Sequence, residues 1–460
     1  MRGAALLGAV AAVAAALAAP ARAADWTTFG FDRARTGLNP AEEVLGLHNA
    51  ATLTHRWAYD LGGVVNAQPL YAAAVTTPAG PRDLVVTGSE RGHLAALDAE
   101  TGVPVWTRTL SAVDTICTDV PDGVHGISAT PVLDRRRGTV WAAGGDGRVW
   151  ALDLATGRTR PGWPARVGRR GEHVWGALAL ASHRVYVETA SHCNDAFYRG
   201  RIVALNPRTG KRRGRWLPLG GRSYGGGVWG WGGAAIGGGD RKVFIATANG
   251  QGAGIDHRPY AEHVVRLSRR LDLEQANDPG PPRNDDNDFT GAPILIRARG
   301  CPAQLAVIHK TGQLFLYDRR RIRRGPRQRL QVGSRTAFSA LGTHAWSRAA
   351  RTLYVANGST GDYAQGLVAL RLGQDCRLGL AWERPLGTEP TWPTSPVVAN
   401  GLVVFGDGSG RTLHALDAAD GTPLWDSGHS TGDLYGAPIV ADGKVFAPSW
   451  DGRLHAFSPQ

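Results

Sequence analysis

Beyond residue 23 the sequence contains no apolar run long enough to span a bilayer, which excludes a transmembrane helix of ordinary length. Lysine is scarce. Only Lys211, Lys242, Lys310 and Lys444 occur, so the formal charge of +13 is almost wholly arginine. The arginines are scattered singly or in short runs such as Arg135-Arg136-Arg137, and are densest in the stretch DRRRIRRGPRQR that starts at residue 318. No zinc-finger, OB-like or RNA-platform motif accompanies them, so nucleic acid is not an expected partner. A surface attractive to acidic ligands is still compatible with this charge. No CxxC or CxxCH arrangement is present, which argues against a covalently attached c-type haem.

The chain opens MRGAALLGAVAAVAAALAAPARA, an arginine followed by an Ala/Leu/Val run and the small-residue triplet Ala21-Arg22-Ala23. That is the layout of a secretory signal peptide over residues 1–23, with cleavage after Ala23 and a secreted or periplasmic product. No cysteine follows the apolar run, so a lipid anchor is not expected. Four cysteines remain, Cys117, Cys193, Cys301 and Cys376. An even number in an exported chain points to two disulfides.

The strongest signal is internal repetition. GHLAALDAETGVPVW at 92 recurs as GRVWALDLATGRTRPGW at 147, GRIVALNPRTGKRRGRW at 200 and RTLHALDAADGTPLW at 411. Weaker copies begin at residues 262, 312, 366 and 452. A spacing of roughly 40–60 residues is the range of propeller blades. Each copy has one physical logic: a strand such as Val149-Trp150-Ala151-Leu152, then Asp153 and Thr156-Gly157 in a tight turn, then a further strand. Asp bonds the turn backbone and Gly supplies its positive φ. The tryptophan after the turn (Trp106, Trp216, Trp382, Trp425) offers a flat apolar face to wedge between blades. Two more strands precede each copy, so the expected fold is all-β, an eight-bladed propeller of four-stranded antiparallel blades.

The last copy reaches Gln460 with only three strands, while TLTHRWAYDLG at 52 reads as a fourth strand without a third. The N-terminal strand is therefore expected to close blade 8 and hide two sheet edges. Residues 24–460 then form one ring-shaped domain, with 24–61 as its closing segment. In such blades the A–B and C–D turns lie on one face, the B–C and D–A connections on the other. Cys117 falls in a D–A link, Cys193 in a B–C loop, Cys301 in an A–B turn and Cys376 in a C–D turn. Only Cys117–Cys193 with Cys301–Cys376 keeps each bridge on a single face.

The repeat A-L-D-x-x-T-G-x-x-x-W resembles the blade signature of pyrroloquinoline-quinone (PQQ) type propellers, over nearly the whole mature chain. Two branches share that repeat, exported quinoprotein alcohol dehydrogenases and non-catalytic propellers. The dehydrogenase branch has a recognisable site, and five segments match it in order. SHCNDAFYRGRIVAL places Asp195 and VFIATANG places Asn249 as calcium ligands. NDDNDFTGAP places Asp288 as proton acceptor and third metal ligand. LAVIHKTGQLFLYD places Lys310 as the basic residue beside the quinone, and GGVWGWGG places Trp229 as its floor. Calcium takes hard oxygen ligands and would polarise the carbonyl that receives the hydride.

The resemblance therefore implies PQQ and Ca2+ as cofactors, a small alcohol as substrate and an external electron acceptor. Departures from the family pattern are also legible. Cys117-Thr118-Asp119 stands where the dehydrogenases carry two adjacent cysteines, the third-blade ligand is Asp rather than Glu, and long inter-blade insertions are missing. Taken singly, NDDND reads as an Asx-rich turn, Asn249-Gly250 as a left-handed turn and GGGVWGWGG as packing glycines. His125, His192 and His309 look isolated and read as polar turn or surface residues. A propeller that binds protein or glycan on one face is the alternative function.

Overall fold

The computed structural model describes residues 24–169, 171–194, 197–220, 223–239, 241–251, 259–280, 288–335, 339, 342–387, 392–429 and 431–460. The residues expected to form a signal peptide lie outside this range. No helix among the described residues is long and apolar enough to cross a membrane.

The repeat dictates the local structure. In ALDAETG the Asp98 Oδ1 accepts hydrogen bonds from the backbone N–H of Glu100 and of Thr101, each at 3.0 Å, and from the Thr101 hydroxyl at 3.1 Å. Asp153 does the same for Ala155 and Thr156. Gly102 and Gly157 then turn the chain at φ +72° and +66°. These glycines are needed a second time, for space. A Cβ on Gly102 would stand 2.6 Å from the Trp57 ring, and one on Gly157 2.7 Å from the Trp106 ring. Each tryptophan thus lies on the turn of the next blade, as Trp382 does on Gly421. Trp106 completes the contact by donating its indole N–H to the Leu154 carbonyl at 2.8 Å.

Four strands repeat in this way eight times, each blade ordered A–B–C–D from the axis outward. Blade 5, for example, runs Ile294–Ile296, Gln304–Ile308, Gln313–Asp318 and Gln328–Gln331. The inner strands have a blade against each face, so runs such as Thr139–Ala143 and Arg201–Leu205 are buried at every position. This explains why they read as continuous apolar stretches rather than alternating ones. Leu53–Asp60 pairs antiparallel with Arg453–Pro459 and supplies the outer strand of blade 8, closing the ring as expected.

The segment before that strand does more than the repeat pattern foretells. Residues 26–39 coil round the ring axis and reach every blade in turn. Trp26 exchanges backbone hydrogen bonds with Tyr71 of blade 1. The carbonyls of Thr27, Arg33, Ala34, Thr36 and Gly37 accept from Leu133, Ile236, Leu295, Trp346 and Val398 of blades 2, 4, 5, 6 and 7. Asn39 Nδ2 donates to Val440 O of blade 8 at 2.9 Å. Arg35, fully buried, donates to the carbonyl of Leu178, beside blade 3, at 3.3 Å and to that of Ala234, beside blade 4, at 3.1 Å.

Both disulfides join the pairs expected from strand placement, Cys117–Cys193 and Cys301–Cys376, each with Cα atoms 5.5 Å apart.

Candidate functional site

Next to the coil, whose Phe29 packs in one cluster with Trp231, B–C and D–A loops surround a cavity of about 660 Å³. Four of the five residues singled out from the sequence line it: Trp229, Asn249, Asp288 and Lys310. Asp195 lies outside the described residues, as do Asp285 and Asp286.

Asp288 is held from both sides. It enters just ahead of the A strand of blade 5 and is buried, 4% exposed. Lys310, from the B–C loop of the same blade, donates its backbone N–H to the Asp288 carbonyl at 2.9 Å. Its ammonium stands 3.0 Å from Asp288 Oδ1. Trp229 donates its indole N–H to Oδ2 of the same carboxylate at 3.1 Å. The Lys310 ammonium also lies 5.2 Å from the centroid of the Trp229 ring, within cation–π range. The neighbouring glycines allow this approach, since a Cβ on Gly230 would meet the Ala292 nitrogen at 2.9 Å and one on Gly232 would meet the Ala292 Cβ at 2.7 Å. Tyr198, also lining the cavity, has its phenol pushed well up by burial and then by the Asp288 charge, so it stays protonated. Asn249 is buried and accepts the Gly226 N–H on its backbone carbonyl at 2.7 Å.

The rest of the lining was not singled out from the sequence. Trp175, Trp231, Trp392, Tyr435 and Trp450 make the wall aromatic, and Asn66, Asp119, His173 and His192 add polar groups. A signal for some of these is present in hindsight. Asn66, Trp175, Trp231 and Tyr435 each precede the first residue of an A strand (Leu70, Ala179, Ala235, Ile439) by the same interval. Trp450 is fixed by a polar chain: its N–H meets Asn66 Oδ1 at 2.8 Å, and Asn66 Nδ2 meets Glu90 at 2.8 Å. Cys193 brings the Cys117–Cys193 bridge to the cavity wall.

The expectation for the histidines is corrected here. His125 and His309 are buried rather than on the surface. His125 packs against His173 and His192, with ring centroids 4.3 and 5.1 Å away, so two of the three are not isolated. Burial first, then the two neighbouring imidazoles, push the His125 pKa down to about 2. His192 Nε2 faces Asp119 Oδ2 at 3.5 Å, and this contact is the largest cause holding the Asp119 carboxyl below its ordinary range.

A family model described as outer membrane protein assembly factor BamB matches residues 32–216 and 377–460. The quinohemoprotein alcohol dehydrogenase of Comamonas testosteroni is 26% identical over 204 residues, which are 43% of this chain and 26% of that protein. Among solved structures, a europium-containing methanol dehydrogenase superposes with a TM-score of 0.72 at 16% identity, covering 94% of this chain and 98% of that one. BamB from Moraxella catarrhalis gives a TM-score of 0.58 at 16% identity, covering 88% and 99%. Structural likeness at this identity establishes the propeller fold, and the chemistry has to come from the cavity.

Proposed function

The chain belongs to the family of PQQ-type repeat propellers, and from that premise we propose that it is an exported quinoprotein-like dehydrogenase that oxidises an alcohol. The observation that supports this most directly is the convergence of Lys310 and Trp229 on the Asp288 carboxylate inside an aromatic axial cavity. A solvated Asx turn has no need of a buried ammonium at 3.0 Å and an indole N–H at 3.1 Å.

The residues present fit a flat quinone. The Trp229 ring offers a floor, Lys310 a cation beside it, and the cavity is wide enough for a tricyclic ring with a small substrate. For calcium, Asp288 and Asn249 bring oxygen donors to the lining, with Asp195 as the second carboxylate in this proposal. Six to eight oxygens are required, so the quinone and water would complete the set. When bound, PQQ with calcium supplies a polarised two-electron acceptor. The chain's own part is positional and protolytic. Asp288 takes the alcohol proton, Lys310 and the Trp229 N–H hold that carboxylate in one orientation, and the aromatic wall excludes water. A quinone bound here would need an external electron acceptor to be reoxidised.

The test is titration calorimetry of PQQ into the full mature chain with calcium, followed by dye-linked oxidation of a panel of alcohols. Binding with turnover is expected, and Asp288→Asn should abolish turnover while leaving the fold intact. Neither binding nor turnover in the wild type would leave the second reading, a non-catalytic propeller that binds protein or glycan. The match to the BamB family model is the observation in its favour.

A further inference from the structure

The protein carries a formal charge of +13, yet the described lining of its axial cavity does not share that sign. Among the described lining residues the full charges are Asp119, Asp288 and Lys310. Asp288 pairs with Lys310 at 3.0 Å, and the second described anion is the Asp119 carboxylate, which feels the same ammonium at longer range. Its side chain is 64% exposed beside the cavity, and its described partner is the imidazole of His192 at 3.5 Å. The hydrogen bond with His192 holds this carboxyl further below its ordinary range.

Besides the polar groups already named, the cavity that Asp119 opens on is walled by aromatic rings. Trp229 and Trp450 commit their N–H groups to Asp288 and Asn66, so what these rings offer a ligand is π surface. Tyr435 packs on Trp450 with centroids 4.2 Å apart, and Trp392 lines the same cavity. A neutral apolar alcohol filling such a space would strip water from Asp119 and give nothing back. A cation restores that loss twice, by pairing with the carboxylate and by resting against indole faces, the best partners for an onium group.

We propose that the substrate of this cavity is a cationic amino alcohol, its hydroxyl directed to Asp288 and its quaternary or protonated nitrogen held by Asp119 and the tryptophan faces. The proposal rests on the dehydrogenase reading for the role of the hydroxyl, whereas the cation preference stands on the cavity alone. Because the Asp288 carboxylate is already paired with Lys310, Asp119 is the described carboxylate left to receive the onium end.

Choline and 3,3-dimethylbutan-1-ol have the same shape and differ in charge, which makes them the decisive pair. Both are titrated into the full mature chain, with and without PQQ and calcium, while the tryptophan fluorescence is followed. Choline is expected to bind at least about tenfold more tightly, equivalent to about 1.4 kcal/mol. Asp119→Asn, at an exposed position that the fold does not need, should bring the two ligands to near-equal affinity. Equal or tighter binding of the neutral alcohol by the wild type would overturn the proposal, as would an unchanged preference in Asp119→Asn. Dye reduction reports separately on the underlying reading. Choline preference without turnover sinks the dehydrogenase and keeps the cation site, and turnover without preference does the reverse.

Discussion

The indole N–H of Trp229 and the carboxylate of Asp288 meet at 3.1 Å across a chain separation of 59 residues. Trp229 comes from the link between blades 3 and 4, Asp288 from the link between blades 4 and 5, and Lys310 closes the triangle on both. Such an arrangement fixes a carboxylate in one rotamer with its charge compensated. A base that must face a reacting hydroxyl needs the fixed orientation.

Lys310→Met should separate positioning from binding. The ammonium that meets Asp288 Oδ1 and lies over Trp229 is removed, while the side-chain volume is kept. Leaving the buried carboxylate without it should lower stability by roughly 3–5 kcal/mol. PQQ affinity in calorimetry should fall at least tenfold in the same variant. A variant as stable as the wild type in urea would contradict the geometry described for this pair.

Glu188 lies buried near the axis, and desolvation raises its pKa to about 8 against the pull of Arg35. It is therefore neutral in the folded chain at pH 6 and ionised in the unfolded one. A raised carboxyl pKa gives stability that is complete below pH 4.5 and is lost as pH climbs toward 8. The melting temperature of the wild type should accordingly decline between pH 5 and 9. Glu188→Gln should flatten that decline, and parallel wild-type and mutant profiles would refute the assignment.

The two disulfides close loops of nearly equal length, with separations of 76 and 75 residues. Loop entropy alone then gives both the same stabilisation, about 4.5 kcal/mol at most. Any difference between their serine double mutants reports position. Cys117→Ser with Cys193→Ser should weaken ligand binding in the cavity as well as stability, since Cys193 lines it. Cys301→Ser with Cys376→Ser, on the opposite face, should lower stability alone. Equal ligand affinities in the two double mutants would count against a role for the first bridge at the site.

Arg35→Met would remove a guanidinium that donates to the carbonyls of Phe29, Leu178 and Ala234 and to the Thr28 hydroxyl. Three buried carbonyls lose a partner, at roughly 1–3 kcal/mol each. Chemical denaturation should show a loss of several kcal/mol with an unchanged single transition.

What could be read from the sequence was what repeats or what sits in one segment. The turn after Ala-Leu-Asp recurs, so blades, strand order and the disulfide pairs followed from it. NDDNDFTGAP and GGVWGWGG are contiguous, so Asp288 and Trp229 could be named before their contact was seen. The cavity wall is different, because each blade gives it one or two side chains and no segment holds them together. Trp450 and Asn66 are bonded across 384 residues. His125 and His192 looked unrelated for the same reason: their spacing follows the connections between blades, which carries no periodic signal of its own. The axial coil was equally hidden, since its partners are backbone groups and any residue supplies those.

That coil changes how the array must come together. In a stack of repeats each unit ordinarily touches only its neighbours, and order can spread from anywhere. Here Trp26 needs Tyr71, but Asn39, thirteen positions later, needs Val440. During synthesis the residues that emerge first therefore wait for those that emerge last, and no set of early blades can complete itself. Such distant pairings slow folding and bind all eight blades into one transition. A ring fastened through its own hub ties the opening of any one blade to the hub that all of them share.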